Sequence, residues 1–323
     1  MKPHRQDGAA LITVLLLFAL ITVLASQLIT RSQVDIERTR WLVAQAQAYQ
    51  YALGGEALAR QLLWQQQSDL RAEGISISPA PAPLPIYRPD YGQMAVEIID
   101  LQGLVNLNNA AKNGAARLPI ARLFNDVLLK PELTQLLIDW IDADSTPLPG
   151  GAEDTSYLST KPPYRTGNRP LSDPSELLAL KGMTAEDYRV IKSFLTALPG
   201  VLPVNPNTAP VEIFNLLNLG SSGGQIVNFR LSNPPGFLTV DEFLQSDFTA
   251  GLNIDPALFT VTSEYFGVKI HVQLDDQQLR LFSRIKLDRN SGNITLLDRT
   301  IGEPITINTL DIRQDDTSAD SVF

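Results

Sequence analysis

Cysteine is absent from this 323-residue chain, so neither a disulfide nor a thiolate metal site can form. That absence does not locate the protein, since it suits an oxidising compartment without demanding one. Histidine is nearly absent, with His4 near the amino terminus and His271 in a predicted strand. This excludes a His-rich zinc site and leaves little room for histidine-dependent catalysis. Positive charge is in deficit: 26 Lys and Arg stand against 35 Asp and Glu, for a net charge of −9. So acidic a balance argues against sequence-independent grip on DNA or RNA, which takes clustered cations. Charge, proline and glycine are all missing from Ala9 to Thr30, AALITVLLLFALITVLASQLIT. As a helix rising about 1.5 Å per residue, that run is long enough to cross a hydrocarbon core of about 30 Å.

What is present fits one membrane segment plus one large or two medium soluble domains, and 44% apolar residues suffice for a sizeable core. A short basic head, MKPHRQDG, precedes the apolar run. A cleavable secretory signal fits poorly, because the run exceeds the usual signal core and no small-x-small site follows before Gln27. A plain signal anchor fits better, with Lys2 and Arg5 holding the head in the cytoplasm. A sharper reading starts from Gly8, which abuts the apolar run. The head resembles the class III leader of type IV pilins and type II secretion pseudopilins. The resemblance implies that prepilin peptidase cuts after Gly8, that Ala9 becomes the N-methylated terminus, and that residues 9–30 stay as the transmembrane helix. Pilins of this type carry Glu at the fifth mature position, where this chain has Thr13. A carboxylate in the bilayer is costly unless paired, and a subunit with no neighbour above it has nothing to pair it with. The family members that lack this Glu are the K-type minor pseudopilins.

Beyond the anchor, Arg31 to Gln67 continues in helical pattern, with Val34, Trp41, Ala48, Leu58 and Leu62 near helical spacing. Gly54-Gly55 weakens the middle by about 1 kcal/mol per glycine and allows a local bend. Ser76 to Asp90 is proline-dense and reads as a linker. Gln93 to Leu101 alternates as a first strand. The phrase VNLNNA at Val105 returns as VNPNTA at Val204, read either as two separate helix caps or as two related helical subdomains. Helical segments are predicted at 120–129, 132–143, 173–180, 185–198, 210–217, 224–232 and 240–245. The run from Glu176 to Leu195 has the shape of a helix-hairpin-helix, but Glu186 and Asp187 beside its turn would repel phosphate, so it reads as a packing unit. Strands return at 264–274, 279–287 and 293–299, the first two joined through Asp275-Asp276-Gln277-Gln278. One strand before the helical block and three after it predict an α+β fold: a spine helix on a small antiparallel sheet, with a large all-α domain inserted after the first strand. The expected division is leader 1–8, transmembrane helix 9–30, spine 31–75, linker and first strand 76–102, inserted domain 103–262, closing strands 263–312 and a tail 313–323.

Carboxylates gather in DWIDADSTPLPGGAED, residues 139–154, followed by PPYRTGNRPLSD, residues 162–173. Hard oxygen donors without local Cys or His point to calcium rather than zinc. The spacing fails the EF-hand pattern, and a solvated acidic loop with capping Asp residues is the plainer alternative. The order GLVNLNNA, DWIDADSTPLPGGAED, PPYRTGN, PLSDPSELLAL and VNPNTAP resembles the K-type minor pseudopilins of type II secretion, the GspK family, from Gly8 to the closing strands. That resemblance implies a pseudopilin core and calcium near Asp142, Asp144, Glu153, Asp154 and Asp173, with Asn168 as a further candidate. A disulfide found in some members cannot exist here, so ordering of this loop would rest more heavily on the metal. It further implies a non-catalytic inner-membrane protein with its bulk in the periplasm, at the tip of the pseudopilus. Its partners there would be minor pseudopilins I and J and other pseudopilins, and it would nucleate assembly for export of folded proteins. Two other readings are a membrane-anchored divalent-metal enzyme using the acidic loop and a pilin-like DNA-uptake protein.

Overall fold

The computed structural model describes residues 7–88, 92–220, 222–274 and 277–302. Met1–Gln6 of the leader, the hairpin residues Asp275-Asp276 and everything after Gly302, including the tail 313–323, lie outside them. Helix α1, Asp7–Ala72, runs unbroken for 66 residues, about 100 Å. The helix continues through Gly54-Gly55. Gly55 serves a different end: a Cβ there would sit 3.1 Å from each of Ile270, Met94 and Val96, so its absence lets the sheet approach the helix. The side chains that α1 buries are Ala48, Ala52, Glu56, Ala59, Leu63 and Gln67, spaced three or four apart, whereas Val34 and Trp41 are exposed. Period alone found Ala48 and missed the rest of this stripe, which is built largely from small and polar residues.

The sheet is four antiparallel strands: β1 Gly92–Asp100, β4 Tyr265–Leu274, β5 Gln277–Leu287 and β6 Ile294–Ile301, in the order β1-β4-β5-β6. Alternate residues of β4 and β5, among them Val268, Ile270, Val272, Leu281 and Ile285, face α1. Glu56 is 2% exposed and lies under β5 and β6. Arg299 Nε and a terminal guanidinium nitrogen donate to its two oxygens at 2.6 and 2.9 Å, and Ser283 Oγ donates at 2.7 Å. Burial pushes the Glu56 carboxyl up, but these bonds outweigh it and hold the group below its ordinary value.

Residues 101–264 leave at the end of β1 and return at the start of β4. They hold β2 Val105–Asn106, paired parallel with β3 Leu195–Thr196. Around that pair lie α2 Leu118–Arg122, α3 Leu133–Ile141, α4 Asp154–Tyr157, α5 Ala185–Ile191, α6 Val211–Leu216, α7 Ser222–Ser232 and α8 Val240–Gln245. The helices are short and several predicted ones end early: the 120–129 segment becomes α2 followed by a π turn, and 173–180 is a 3-10 turn at Pro174–Ala179. Their shared core centres on Phe124, Leu137, Tyr157, Phe214, Phe237 and Phe243. The sheet and helical block therefore have separate cores joined where the chain crosses.

At that crossing Asp100 is 4% exposed and accepts from Gln102 N–H, Asn205 Nδ2, Thr208 Oγ1 and Ser263 Oγ, at 2.8, 2.9, 2.8 and 2.6 Å. Burial raises its carboxyl above the ordinary range and those donors oppose the rise. The repeated asparagine phrase works beside it. Asn108 pairs with both backbone groups of Leu171, Asn109 with those of Leu202, and Asn207 with those of Phe237. Each side-chain amide thus acts as one rung of a strand where the chain is too irregular to make a ladder. The two phrases share this clamping chemistry, and Asn106 also caps the following turn. Replacing Asp100 by Ala takes one acceptor from each of buried Asn205 and Ser263 and half-buried Thr208. The expected cost is about 3 kcal/mol, measured as the shift in urea unfolding of the full chain in detergent; a cost under about 1 kcal/mol would mean that packing alone holds the joint.

Candidate metal centre

Helix α3 buries Leu133, Leu137 and Trp140 and brings Asp139 in with them, fully buried in the last turn. The helix stops at Asp142, whose extended backbone turns the chain outward. Asp144 then accepts from Thr146 N–H at 2.7 Å, fixing a turn. The loop reverses at Gly150, φ 85°, and Gly151 returns against Asp139. Glu153 follows, 3% exposed, and Asp154 opens α4.

This path brings Asp142, Asp144 and Glu153 together, with one carboxylate oxygen of each within 4.8 Å of the others. Asp142 Oδ1 and Glu153 Oε1 are buried and have no hydrogen-bond partner among the described residues. Burial raises the Asp142 carboxyl and the neighbouring Asp144 charge adds to the rise. Burial likewise raises Glu153, with Asp139 and Asp142 adding repulsion. Orphaned buried oxygens inside a knot of like charge fit a hard divalent cation, which supplies the missing partner and prefers carboxylate donors.

The other sequence candidates lie outside this group of three, and Thr166 Oγ1, 3.4 Å from Glu153 Oε2, links Asp154 and Asn168 to it. Asp154 faces Arg165, whose guanidinium lies 2.9 Å away, and accepts from Thr166 N–H at 2.9 Å. Asn168 sits beside them, its Oδ1 2.7 Å from Thr166 Oγ1 and its backbone in the left-handed region at φ 44°. Asp173 is engaged as a helix cap: its Oδ1 accepts from Ser175 N–H at 2.9 Å, and Glu176 reaches back to Asp173 N–H in a capping box. Sequence reasoning passed over Asp139, although its position one turn before Asp142 and the Gly-Gly at 150–151 pointed to it. The segment 162–168 is held against α3 by an aromatic triad. Ring centroids of Trp140 and Tyr157, and of Tyr157 and Tyr164, lie 5.3 Å apart, and Asn168 N–H donates to Trp140 O at 2.9 Å. Away from the site, Lys130 ties the turn at Gly182 to Asp187, bonding Gly182 O at 3.0 Å and Asp187 at 2.5 Å.

The family described as "Type II secretion system (T2SS), protein K" matches residues 99–200, which include the acidic loop. Type II secretion system protein K of Pseudomonas aeruginosa is 33% identical over 317 residues, covering 92% of this chain and 93% of the relative. This chain belongs to the type II secretion system protein K family. The Klebsiella pneumoniae protein K is 37% identical over 218 residues, 64% of this chain and 67% of its own length. The fold matches a chain of the crystal structure titled as the GspK-GspI-GspJ complex of enterotoxigenic Escherichia coli, with TM-score 0.71 and 24% identity over 83% of this chain and all of that one. The apolar part of α1 is a single-pass inner-membrane anchor, and the rest of the described residues lie outside the membrane.

The raised carboxyls make cation-free stability depend on pH with a definite sign. A group whose folded value lies above its unfolded value stabilises at low pH and loses that contribution as pH rises through the folded value. In chelator, Glu153→Gln is therefore expected to melt higher than wild type at pH 7, by roughly 2–4 °C, and to lose that advantage near pH 4, within the ordinary carboxylate range. Melting curves at the two pH values check this; an advantage that persisted or grew at pH 4 would contradict it.

Proposed function

We propose that this protein K sits at the tip of a periplasmic pseudopilus with the I- and J-type minor pseudopilins and nucleates assembly of the fibre that supports export of folded proteins. Family membership over nearly the whole chain carries the reading. The architecture adds its physical sense: residues 101–264 form a large body beside the slender helix-and-sheet core, and a bulky body at the top leaves no seat for a further subunit. The role is structural rather than catalytic. Thr13 in place of a buried acid suits a terminal subunit, since no neighbour above would neutralise a carboxylate there.

Two finer assignments belong to this reading. Prepilin peptidase would cut after Gly8 and Ala9 would be N-methylated, giving a mature chain that begins with the anchor helix. Calcium would be held by Asp142, Asp144 and Glu153, completed by backbone carbonyls of the Gly/Pro-rich loop, since calcium takes six to eight oxygens. A bound cation supplies charge neutralisation and a cross-link between the end of α3 and the start of α4. Asp154 and Asn168 would steady the return strand, and Asp173 would serve as the cap described above.

Co-expression of the full chain with the I- and J-type minor pseudopilins of the same secretion system is expected to give one co-purifying complex in detergent. Failure of the three to associate, with each folded, would overturn the tip reading. Intact-mass measurement of the mature protein is expected to find residues 1–8 removed and the new terminus methylated; an intact leader in a working secretion system would refute the processing assignment.

A further inference from the structure

Asp139 is fully buried three residues before Asp142. Both of its oxygens lie within reach of Leu148 N–H, at 3.2 and 3.1 Å, and the Ala152 amide favours its charged form from the other side of the loop. Gly151 packs so tightly on it that a Cβ there would fall 2.0 Å from Oδ2. One carboxylate thus bonds the outgoing leg at Leu148 and packs against the returning leg at Gly151. Glu153 comes next in the chain, 3% exposed, with Oε1 lacking a partner among the described residues and lying in the group with Asp142 and Asp144. Where Gly151 is seated on Asp139 decides where Glu153, two residues on, can reach.

We infer that Asp139 is the positioning residue of a divalent-cation centre made by Asp142, Asp144 and Glu153, acting through the loop rather than as a ligand. The inference rests on the cation reading proposed above. The choice of side chain supports it. A neutral acceptor such as Asn or Thr would tie backbone N–H groups without adding a buried negative charge beside three others. A fourth carboxylate makes sense where a cation offsets the repulsion and profits from the added field.

Calorimetric titration of calcium chloride into the chelator-stripped full chain in detergent tests it, with wild type, Asp139→Asn and Gly151→Ala compared. The first variant removes the charge; the second keeps it and pushes the carboxylate off its seat. Both are expected to bind calcium at least tenfold more weakly, with the circular dichroism of the stripped protein unchanged. If Asp139→Asn fails to fold, Gly151→Ala carries the test. A purely structural Asp139 would instead lower the melting temperature of the stripped variants and leave calcium affinity within tenfold of wild type, which overturns the inference while leaving the cation centre standing. A wild type that takes up no calcium overturns the centre and the inference together.

Discussion

Two adjacent strands, β1 and β4, must stay paired although residues 101–264 depart and return between them. That constraint shapes the molecule. Entry and exit have to be fixed at one place, or the helical block would swing on two loose threads and expose its own polar backbone. Asp100 stands at that place. Gln102 follows it on the way out, Ser263 precedes β4 on the way back, and Asn205 and Thr208 reach in from the middle of the block. A carboxylate accepts at several lone pairs at once, so one buried charge organises segments more than a hundred residues apart in sequence. The desolvation that lifts its carboxyl is tolerated because each donor would itself be costly if left unpaired.

The helical block shows the same economy on a wider scale. Its helices are mostly two turns or fewer, too short to be stable by themselves. Irregular stretches between them carry backbone groups that no ladder satisfies. Buried asparagines solve this by presenting an amide's N–H and C=O to both backbone groups of a distant residue, as Asn108 does to Leu171 and Asn207 does to Phe237. The Phe-rich core then closes around clips already set. On the other side of the crossing, Glu56 plays an equivalent part for the sheet, tying the spine to the edge strand through Arg299.

Much of this architecture was legible in the residues. The apolar run, the alternation at 93–101 and 264–287, and the turn residues between them determined the anchor, the strands and the inserted block. The cap at Asp173-Pro174-Ser175-Glu176 was read from local chemistry and is local in the structure. What escaped was non-local. The buried stripe of α1 runs through Ala48, Ala52, Gly55, Glu56 and Ala59, and small residues with an acid give no apolar period; only the approach of Ile270 and Arg299 explains them. The parallel pair Val105–Asn106 with Leu195–Thr196 is two residues long and joins distant segments. Spacing could collect the carboxylates of the acidic loop but not sort them, because Asp142, Asp144 and Glu153 differ from Asp154 and Asp173 only in where the loop turns.

That sorting depends on how a loop so poor in regular structure is held without a covalent bridge. With cysteine absent, each leg must be fastened by something else. The 162–168 leg is held by Trp140, Tyr157 and Tyr164 and by the bond from Asn168 N–H to Trp140 O. The 147–152 leg is held by Asp139. Both fastenings converge on the last turn of α3, so that one rigid turn carries two loop legs. Neither fastening satisfies Asp142 Oδ1 or Glu153 Oε1. A loop designed only to be quiet would have placed neutral or paired groups there. Carboxylates left facing one another on a braced scaffold store repulsion that protons relieve in acid and that a bound cation would relieve at neutral pH. The brace is what keeps them from relaxing apart in the meantime.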